Sequence, residues 1–396
     1  MLSLPEEIRE LALRLDASDS LPAYAYDLGA LAAHTAAIRA ALPRSAEFYY
    51  AVKANPDTAV LRAIATHADG LEISSGGELA HVSAAVPGVP LVFGGPGKTG
   101  AELSAAVRAG VHRFHVESPH ELRLLAAAAA ADCRTVDVLL RVNLAAPTCA
   151  TRGPAALVMG GASPFGMDVA LLAECASVLS GLDNGAVRLR GLHAHTASGL
   201  DAADLLAVSA RLLGFGRDWC ASAGVPAPEF NLGGGMAVDY RQPGTVFDWA
   251  TYGQGLASLV RPGETLRIEP GRAVTAYCGW YLSRVLDVKH SHGEAFAVIA
   301  GGTHHLRTPA AKGHDQPFAV IAVERWQAPW PRPGVGQAAV TVCGQLCTPK
   351  DILARRAGVQ QLRAGDLIAF GLAGAYAWNI SHQSFLMHPP PAFHYL

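Results

Sequence analysis

The chain has 396 residues, a net charge of −2 and 51% hydrophobic side chains. A near-neutral balance offers no recruiting field for nucleic acid or an anionic membrane, and the longest near-uniform apolar stretch, 124–131, is too short to span a bilayer. Seven scattered cysteines favour reduced thiols in a cytoplasm over a disulfide framework, and the N-terminus lacks the basic-then-apolar order of a secretory signal.

The length suits two domains, one of barrel size, about 250 residues. Residues 1–28 begin with a helical pattern and hold an apolar run at 23–27 that is expected to pack on a later β domain. From 48 to about 272, eight short apolar runs alternate with amphipathic or alanine-rich stretches: 48–53, 71–74, 91–94, 113–116, 136–143, 189–195, 230–232 and 266–269. Strand followed by helix, eight times, predicts a closed (β/α)₈ TIM barrel over 29–272. Beyond 273 the texture turns to β-branched and aromatic runs such as 295–299, 318–323, 338–343 and 367–370, separated by Gly and Pro turns. These predict a C-terminal all-β domain made of 273–396 with 1–28. The stretch 329–336, with Pro329, Pro331, Pro333, Gly334 and Gly336, reads as a loop.

In such a barrel the working side chains sit at the carboxyl ends of the strands. Polar and glycine-rich motifs fall there repeatedly: Lys53, Glu72 with Ser74-Ser75-Gly76-Gly77, Arg141 with Asn143, His193 and His195 with Ser198, Gly233-Gly234-Gly235, and Glu269-Pro-Gly271-Arg272. Lys53 closes an aromatic-rich strand expected to be buried on both faces. An ammonium there either finds a partner or loses its proton and becomes a nucleophile toward an aldehyde; the plain alternative is a lysine snorkelling from a strand end. Three glycines remove side chains so that backbone N–H groups can approach an anion, and Arg272 adds a forked donor, so together they suggest a phosphate clamp at the last two strands. His193 and His195, at i and i+2, share a spacing that also serves metals, with Glu72 or Glu269 as further ligands. A lysine and an arginine on the same rim would repel a dication, so no metal is expected. His195, nearer the mouth, is read as a flat ring lying on a flat ligand. Lysine, phosphate clamp, stacking histidine and opposing carboxylate together fit pyridoxal 5′-phosphate, with Glu269 keeping the pyridine nitrogen protonated. Glu72, Arg141 and Gly271 complete the expected cofactor-binding set.

The motifs Tyr50-Ala-Val-Lys-Ala-Asn55, Ser75-Gly-Gly-Glu-Leu79, Leu140-Arg-Val-Asn143, His193-x-His195, Gly233-Gly-Gly235, Glu269-Pro-Gly-Arg272, Cys347 with Asp351, and Gly374-Ala-Tyr376 occur in order along nearly the whole chain. In this the sequence resembles the fold-type III pyridoxal phosphate decarboxylases, the family of diaminopimelate, ornithine and arginine decarboxylases. The resemblance implies that Lys53 is the Schiff-base lysine, that His195 stacks on the ring, and that Ser198, the glycines and Arg272 bind phosphate with Tyr376 nearby. It implies that Glu269 pairs with the pyridine nitrogen. It further implies a head-to-tail homodimer with two shared sites, in which Cys347, with Asp351, reaches the partner subunit's site and protonates the substrate carbon after carbon dioxide leaves. Arg307 matches an arginine that binds a distal substrate carboxylate in the diaminopimelate enzymes.

The departures from that pattern bear on substrate. The family usually has an acidic residue after the cysteine to hold a distal ammonium; here Thr348 follows. Losing that charge-assisted partner costs a basic distal group about 1.5 to 3 kcal/mol, so ornithine, lysine and free diaminopimelate are poorer fits. His195-Thr-Ala-Ser198 and Ser163-Pro-Phe-Gly166 also depart from the usual loops. His304, His305 and Arg307 gather donors suited to an anionic distal group, or else form a solvated loop. Cys347-Thr-Pro-Lys-Asp351, Tyr376-Ala-Trp-Asn-Ile-Ser-His382 and Phe385-Leu-Met-His388 are similar to the siderophore-pathway branch, whose members decarboxylate a citryl-diaminopropionate type intermediate. His304, Arg307, Thr348 and Asp351 are thus the expected substrate-binding residues. Diaminopimelate or ornithine/lysine-type decarboxylation is the alternative. Racemases of the same barrel are expected to hold the pyridine nitrogen with arginine, and a non-catalytic carrier would lack the β extension with Cys347.

Overall fold

A computed structural model of the chain describes residues 2–144, 156–157, 160–182 and 185–396. It divides into two compact units: 32–237 with 247–274, and 1–31 with 238–246 and 275–396. Among the described residues no helix is long and apolar enough to cross a membrane.

The first unit is a closed barrel of eight parallel strands, Ala46–Ala51, Gly70–Ile73, Leu91–Phe93, Arg113–Val116, Val136–Arg141, Val187–His193, Glu229–Asn231 and Thr265–Ile268. Each overlaps one of the eight apolar runs, and the ring closes where Thr265–Ile268 pairs with Ala46–Ala51. Short polar residues start the intervening helices. Ser75 accepts from the Glu78 N–H ahead of Gly76–Ala85, Thr99 and Glu102 form a reciprocal capping box, and Ser118 accepts from the Glu121 N–H. The Ser75-Gly-Gly-Glu motif is therefore a helix start.

Inward-pointing residues two apart on a strand fill two layers. The lower layer is ionic, not aliphatic: Arg113 donates to Glu229 at 2.5 and 2.7 Å, Arg267 pairs with Glu47, and the Arg267 guanidinium lies 4.8 Å from the centre of the Tyr49 ring. The upper layer, two residues further along the same strands, holds His115, Asn231 and Glu269. Gly191 has a φ of +152°, and a Cβ there would collide with the Glu229 carbonyl, which is why the sixth strand carries a glycine in mid-run.

The second unit is a mixed β-sheet in the order Phe318–Ile321, Leu367–Phe370, Gly279–Ser291, Glu294–Ile299, Gly334–Cys343, Ile352–Arg363. Ala23–Tyr26 pairs antiparallel with Gly279–Ser291 and parallel with Ala392–Tyr395, so the N-terminal run is part of this sheet. Helix Glu6–Ala17 lays Ile8, Leu11 and Leu15 on Trp280, Leu282, Ile321 and Leu367, forming a core cluster. The expected loop 329–336 ends earlier than its Pro and Gly content indicated, because Gly334 already pairs with Arg363.

Candidate active site

Lys53 sits in a short 3-10 turn, Val52–Ala54, just past the first barrel strand. Its ammonium finds a partner: Nζ donates to both oxygens of Glu72, at 2.9 and 2.7 Å, while the side chain remains half exposed. Glu72 lies on the adjacent strand, opposite Ala51 in register, and is buried. Burial pushes its carboxyl up, but the charge and hydrogen bond of Lys53, the Ser74 hydroxyl at 2.9 Å and the charge of Arg141 together bring it below the usual range. The amine is thus held at the mouth by a carboxylate that stays ionised.

Arg141, the last residue of its strand, donates to Glu117 at 2.6 Å, and its guanidinium lies 5.3 Å from the centre of the Phe165 ring. The other Glu117 oxygen accepts from the Gly166 N–H at 2.7 Å, so one carboxylate ties Arg141 to the Ser163-Pro-Phe-Gly166 turn. Arg141 Nε is buried without a hydrogen-bond partner among the described residues.

His195 follows the sixth strand. Its Nδ1 accepts from the Gly234 N–H at 3.0 Å, which pins the ring. Burial, then the charges of Lys53 and Arg141, push its pKa down to about 3, so the ring is neutral at physiological pH. The three glycines are packed to contact. A Cβ on Gly233 would lie 2.8 Å from His195 Nδ1, one on Gly234 would lie 2.5 Å from the Glu269 carbonyl, and one on Gly235 would meet the Ala197 carbonyl. Two of their N–H groups are already used, Gly233 toward Asn231 Oδ1 at 2.9 Å and Gly234 toward His195, and the next long helix begins only at Trp249. The glycines therefore make room and fix their neighbours more than they form a three-donor nest with a helix behind it. Ser198 lies half-buried in a two-stranded ladder with Ala156–Leu157, while Gly271 and Arg272 are half-buried at the start of the short helix Arg272–Thr275.

Glu269 is buried one residue past the last strand. Burial, and then the charge of Glu72, raise its pKa to about 7 against the lowering effects of Lys53, the Asn231 amide and Arg267. His193 and His115 flank it, with their ring centres 4.0 Å apart. Ligand atoms of His115, His193 and Glu269 lie within 4.8 Å of one another, a set that zinc could use. The charges of Arg141 and Lys53 reach the same histidines and disfavour a dication there. His115, Asn231 and Glu117 went unnoticed in the sequence. Glu117 lies one residue beyond a strand end, where the rim rule pointed, and His115 and Asn231 share the two-residue spacing from Arg113 and Glu229.

The remaining expected residues belong to the β unit. Cys347 is exposed and Thr348 half-buried. Asp351 is buried, with its oxygens taken by the N–H groups of Thr303 at 2.6 Å and Leu346 at 2.8 Å, so it braces the turn carrying Cys347. His304 and His305 are buried, not solvated, and burial pushes them down to about 4 and about 3. Both are neutral at physiological pH, and His305 is occupied by the Tyr281 hydroxyl and the Pro389 carbonyl. Arg307 is exposed and donates to His382 Nδ1 at 2.9 Å. Tyr376 is half-buried with a φ of +49°, and its carbonyl accepts from the Thr308 hydroxyl.

An amine at a barrel mouth, a neutral ring pinned beside it, a cramped glycine turn and a carboxyl poised near neutrality are the donor set that pyridoxal phosphate requires. Comparison with known proteins agrees. Residues 28–276 match the pyridoxal binding domain of the pyridoxal-dependent decarboxylases. Over 379 residues, 94% of this chain and 93% of the relative, the sequence is 37% identical to 2-[(L-alanin-3-ylcarbamoyl)methyl]-2-hydroxybutanedioate decarboxylase of Staphylococcus aureus. It is 31% identical to diaminopimelate decarboxylase of Bacteroides thetaiotaomicron, covering 90% of each chain. The fold matches crystalline diaminopimelate decarboxylase from Helicobacter pylori with a TM-score of 0.81 at 23% identity, over 95% of this chain and 91% of that one. With the barrel, the amine and the matched domain in agreement, the chain belongs to the pyridoxal-dependent decarboxylases, enzymes that use pyridoxal 5′-phosphate to remove a carboxylate.

Proposed function

We propose that this decarboxylase removes the α-carboxylate of an amino-acid head joined to a polycarboxylate, an intermediate of the citryl-diaminopropionate type made for siderophore assembly. The observation that carries the reading is the near full-length 37% identity to the staphylococcal enzyme, whose name gives as its substrate an alanine unit linked through an amide to a hydroxybutanedioate. Thr348 in place of an acidic residue supports it, since no carboxylate follows Cys347 to attract a distal ammonium.

Bound pyridoxal phosphate supplies an electrophilic aldehyde carbon and a ring that takes up the electron pair left when carbon dioxide departs. Lys53 is the covalent anchor, and Glu72 keeps its ammonium in place until a proton is lost. His195 presents its flat neutral face to the ring. Glu269 receives the pyridine nitrogen, where an anion favours the protonated, electron-withdrawing form. Ser198, Gly235, Gly271, Arg272 and Tyr376 would hold the phosphate, with Gly233 and Gly234 leaving room for it, and Arg141 with Glu117 shapes the Ser163-Pro-Phe-Gly166 turn. Cys347 delivers the proton to the substrate carbon. Asp351 acts through it, by fixing the turn on which it stands. Arg307, with Thr348, receives the distal carboxylates, whereas His304, fully buried and neutral, offers them no exposed donor. The enzyme works in the cytoplasm as a homodimer with shared sites, the sharing being what the resemblance carried by Cys347 and Asp351 implies.

Carbon dioxide release from the citryl conjugate, diaminopimelate and ornithine tests the substrate. Turnover of the conjugate well above the other two is expected, and the reverse order refutes the reading. Mixing Lys53→Ala with Cys347→Ala protein tests the sharing: activity returns if each site takes residues from two subunits, and stays absent if it does not.

A further inference from the structure

Three buried side chains surround Glu269. Asn231 Nδ2 donates to its Oε1 at 2.7 Å and lies 3.2 Å from His115 Nε2, while His193 Nε2 lies 3.6 Å from its Oε2. An amide nitrogen only donates, so His115 Nε2 accepts and its proton sits on Nδ1. The third contact of Asn231 fixes its orientation: Oδ1 accepts from the Gly233 N–H at 2.9 Å. One amide therefore links the glycine turn, His115 and Glu269.

Packing alone does not account for these residues. His115 Nδ1 and both ring nitrogens of His193 are buried with no hydrogen-bond partner among the described residues. Each such orphan is costly, and an apolar side chain of similar shape would avoid it. The two rings lie 4.0 Å apart and 31° from parallel, and they reach opposite oxygens of one carboxylate. The other charges acting on Glu269 are Glu72, which opposes its ionisation, and Lys53 and Arg267, which favour it.

We propose that Asn231, His115 and His193 are positioning residues that fix Glu269 and keep it anionic toward the ring nitrogen of the cofactor. The proposal rests on Glu269 receiving that nitrogen. Asn231 sets the carboxylate's direction, His115 holds the Asn231 amide in place by accepting its second N–H, and His193 supplies a donor to the far oxygen once that oxygen carries charge.

The test is equilibrium binding to the full chain, stripped of cofactor, using pyridoxal phosphate and its carbocyclic analogue with a CH in place of the ring nitrogen. Variants are Asn231→Ala, His115→Phe, His193→Phe, the acceptor-retaining His115→Gln, and Glu269→Gln, with circular dichroism to establish folding. The first three lose roughly tenfold or more in affinity for pyridoxal phosphate and little for the analogue, and His115→Gln regains most of the loss. Equal losses for both ligands, or no loss for either, overturn the proposal. If Asn231→Ala does not fold, the contrast between His115→Phe and His115→Gln decides. Glu269→Gln separates the two layers of argument. If it treats both ligands alike, the assignment of Glu269 falls; if it discriminates and the other variants do not, only the positioning role falls.

Discussion

Replacing Glu269 by glutamine should stabilise the cofactor-free protein above neutral pH and leave it nearly unchanged in acid. The carboxyl titrates at about 7 in the fold, from an ordinary value of 4.5, because it is buried and faces the charge of Glu72. A group whose folded pKa is raised opposes folding once the unfolded chain has ionised. The penalty is absent below about pH 4.5, grows between 4.5 and 7, and is complete above 7. Ionising the carboxyl at about 7 in the fold against 4.5 in the unfolded chain costs about 3 kcal/mol at pH 8, and under about 1 kcal/mol at pH 5. Glutamine never ionises, so it escapes this penalty while keeping an oxygen to accept from Asn231. For a unit of this size the gain corresponds to a melting-point rise of roughly 6 to 12 °C at pH 8. Urea or thermal unfolding of cofactor-free wild type and Glu269→Gln at pH 5 and pH 8 measures it. Equal differences at the two pH values, or a less stable variant at pH 8, refute the reasoning. The same substitution is expected to weaken cofactor binding, so the site holds a charge for function at the expense of stability.

Glu229→Gln removes the carboxylate shared by Arg113 and Arg267 inside the barrel and should cost about 3 to 5 kcal/mol by urea unfolding. Burial raises that carboxyl, but the Arg113 hydrogen bonds and charge outweigh it and hold it at about 2, so its stabilising effect is complete above pH 4.5 and lost as pH falls through about 2. Cys347→Ala, on an exposed side chain, should leave unfolding within about 0.5 kcal/mol of wild type while turnover drops by about 10²- to 10⁴-fold; unchanged turnover would remove the thiol from the reaction. Arg307→Ala should raise KM for the citryl conjugate roughly tenfold or more with a smaller change in kcat, since it removes binding shared by ground and transition states; an unchanged KM would place the distal carboxylates elsewhere.

The short motifs were legible because their chemistry is local. Eight apolar runs of strand length predicted eight parallel strands, and polar or glycine-rich motifs at the ends of six of them marked the rim before any strand had a neighbour. The all-β texture after 273 was equally plain, though the long strands Gly279–Ser291 and Ile352–Arg363 alternate too many polar residues to stand out. Other features required closure of the ring. Glu47, Arg113, Glu229 and Arg267 look like ordinary strand charges in sequence, and only the curvature of the barrel turns them inward onto one another. The use of the Gly234 N–H by His195 was likewise invisible, because its partner follows a different strand.

By itself the sequence determined the repeat, the lysine, the glycine turn and the acid at 269, since strand periodicity and residue type are properties of neighbours along the chain. The tertiary structure decided their electrostatics. Whether Lys53 is paired, whether His195, His304 and His305 are neutral and how far Glu269 is shifted depend on burial and on charges delivered by distant strands, and those distances exist only once the barrel and the sheet have formed.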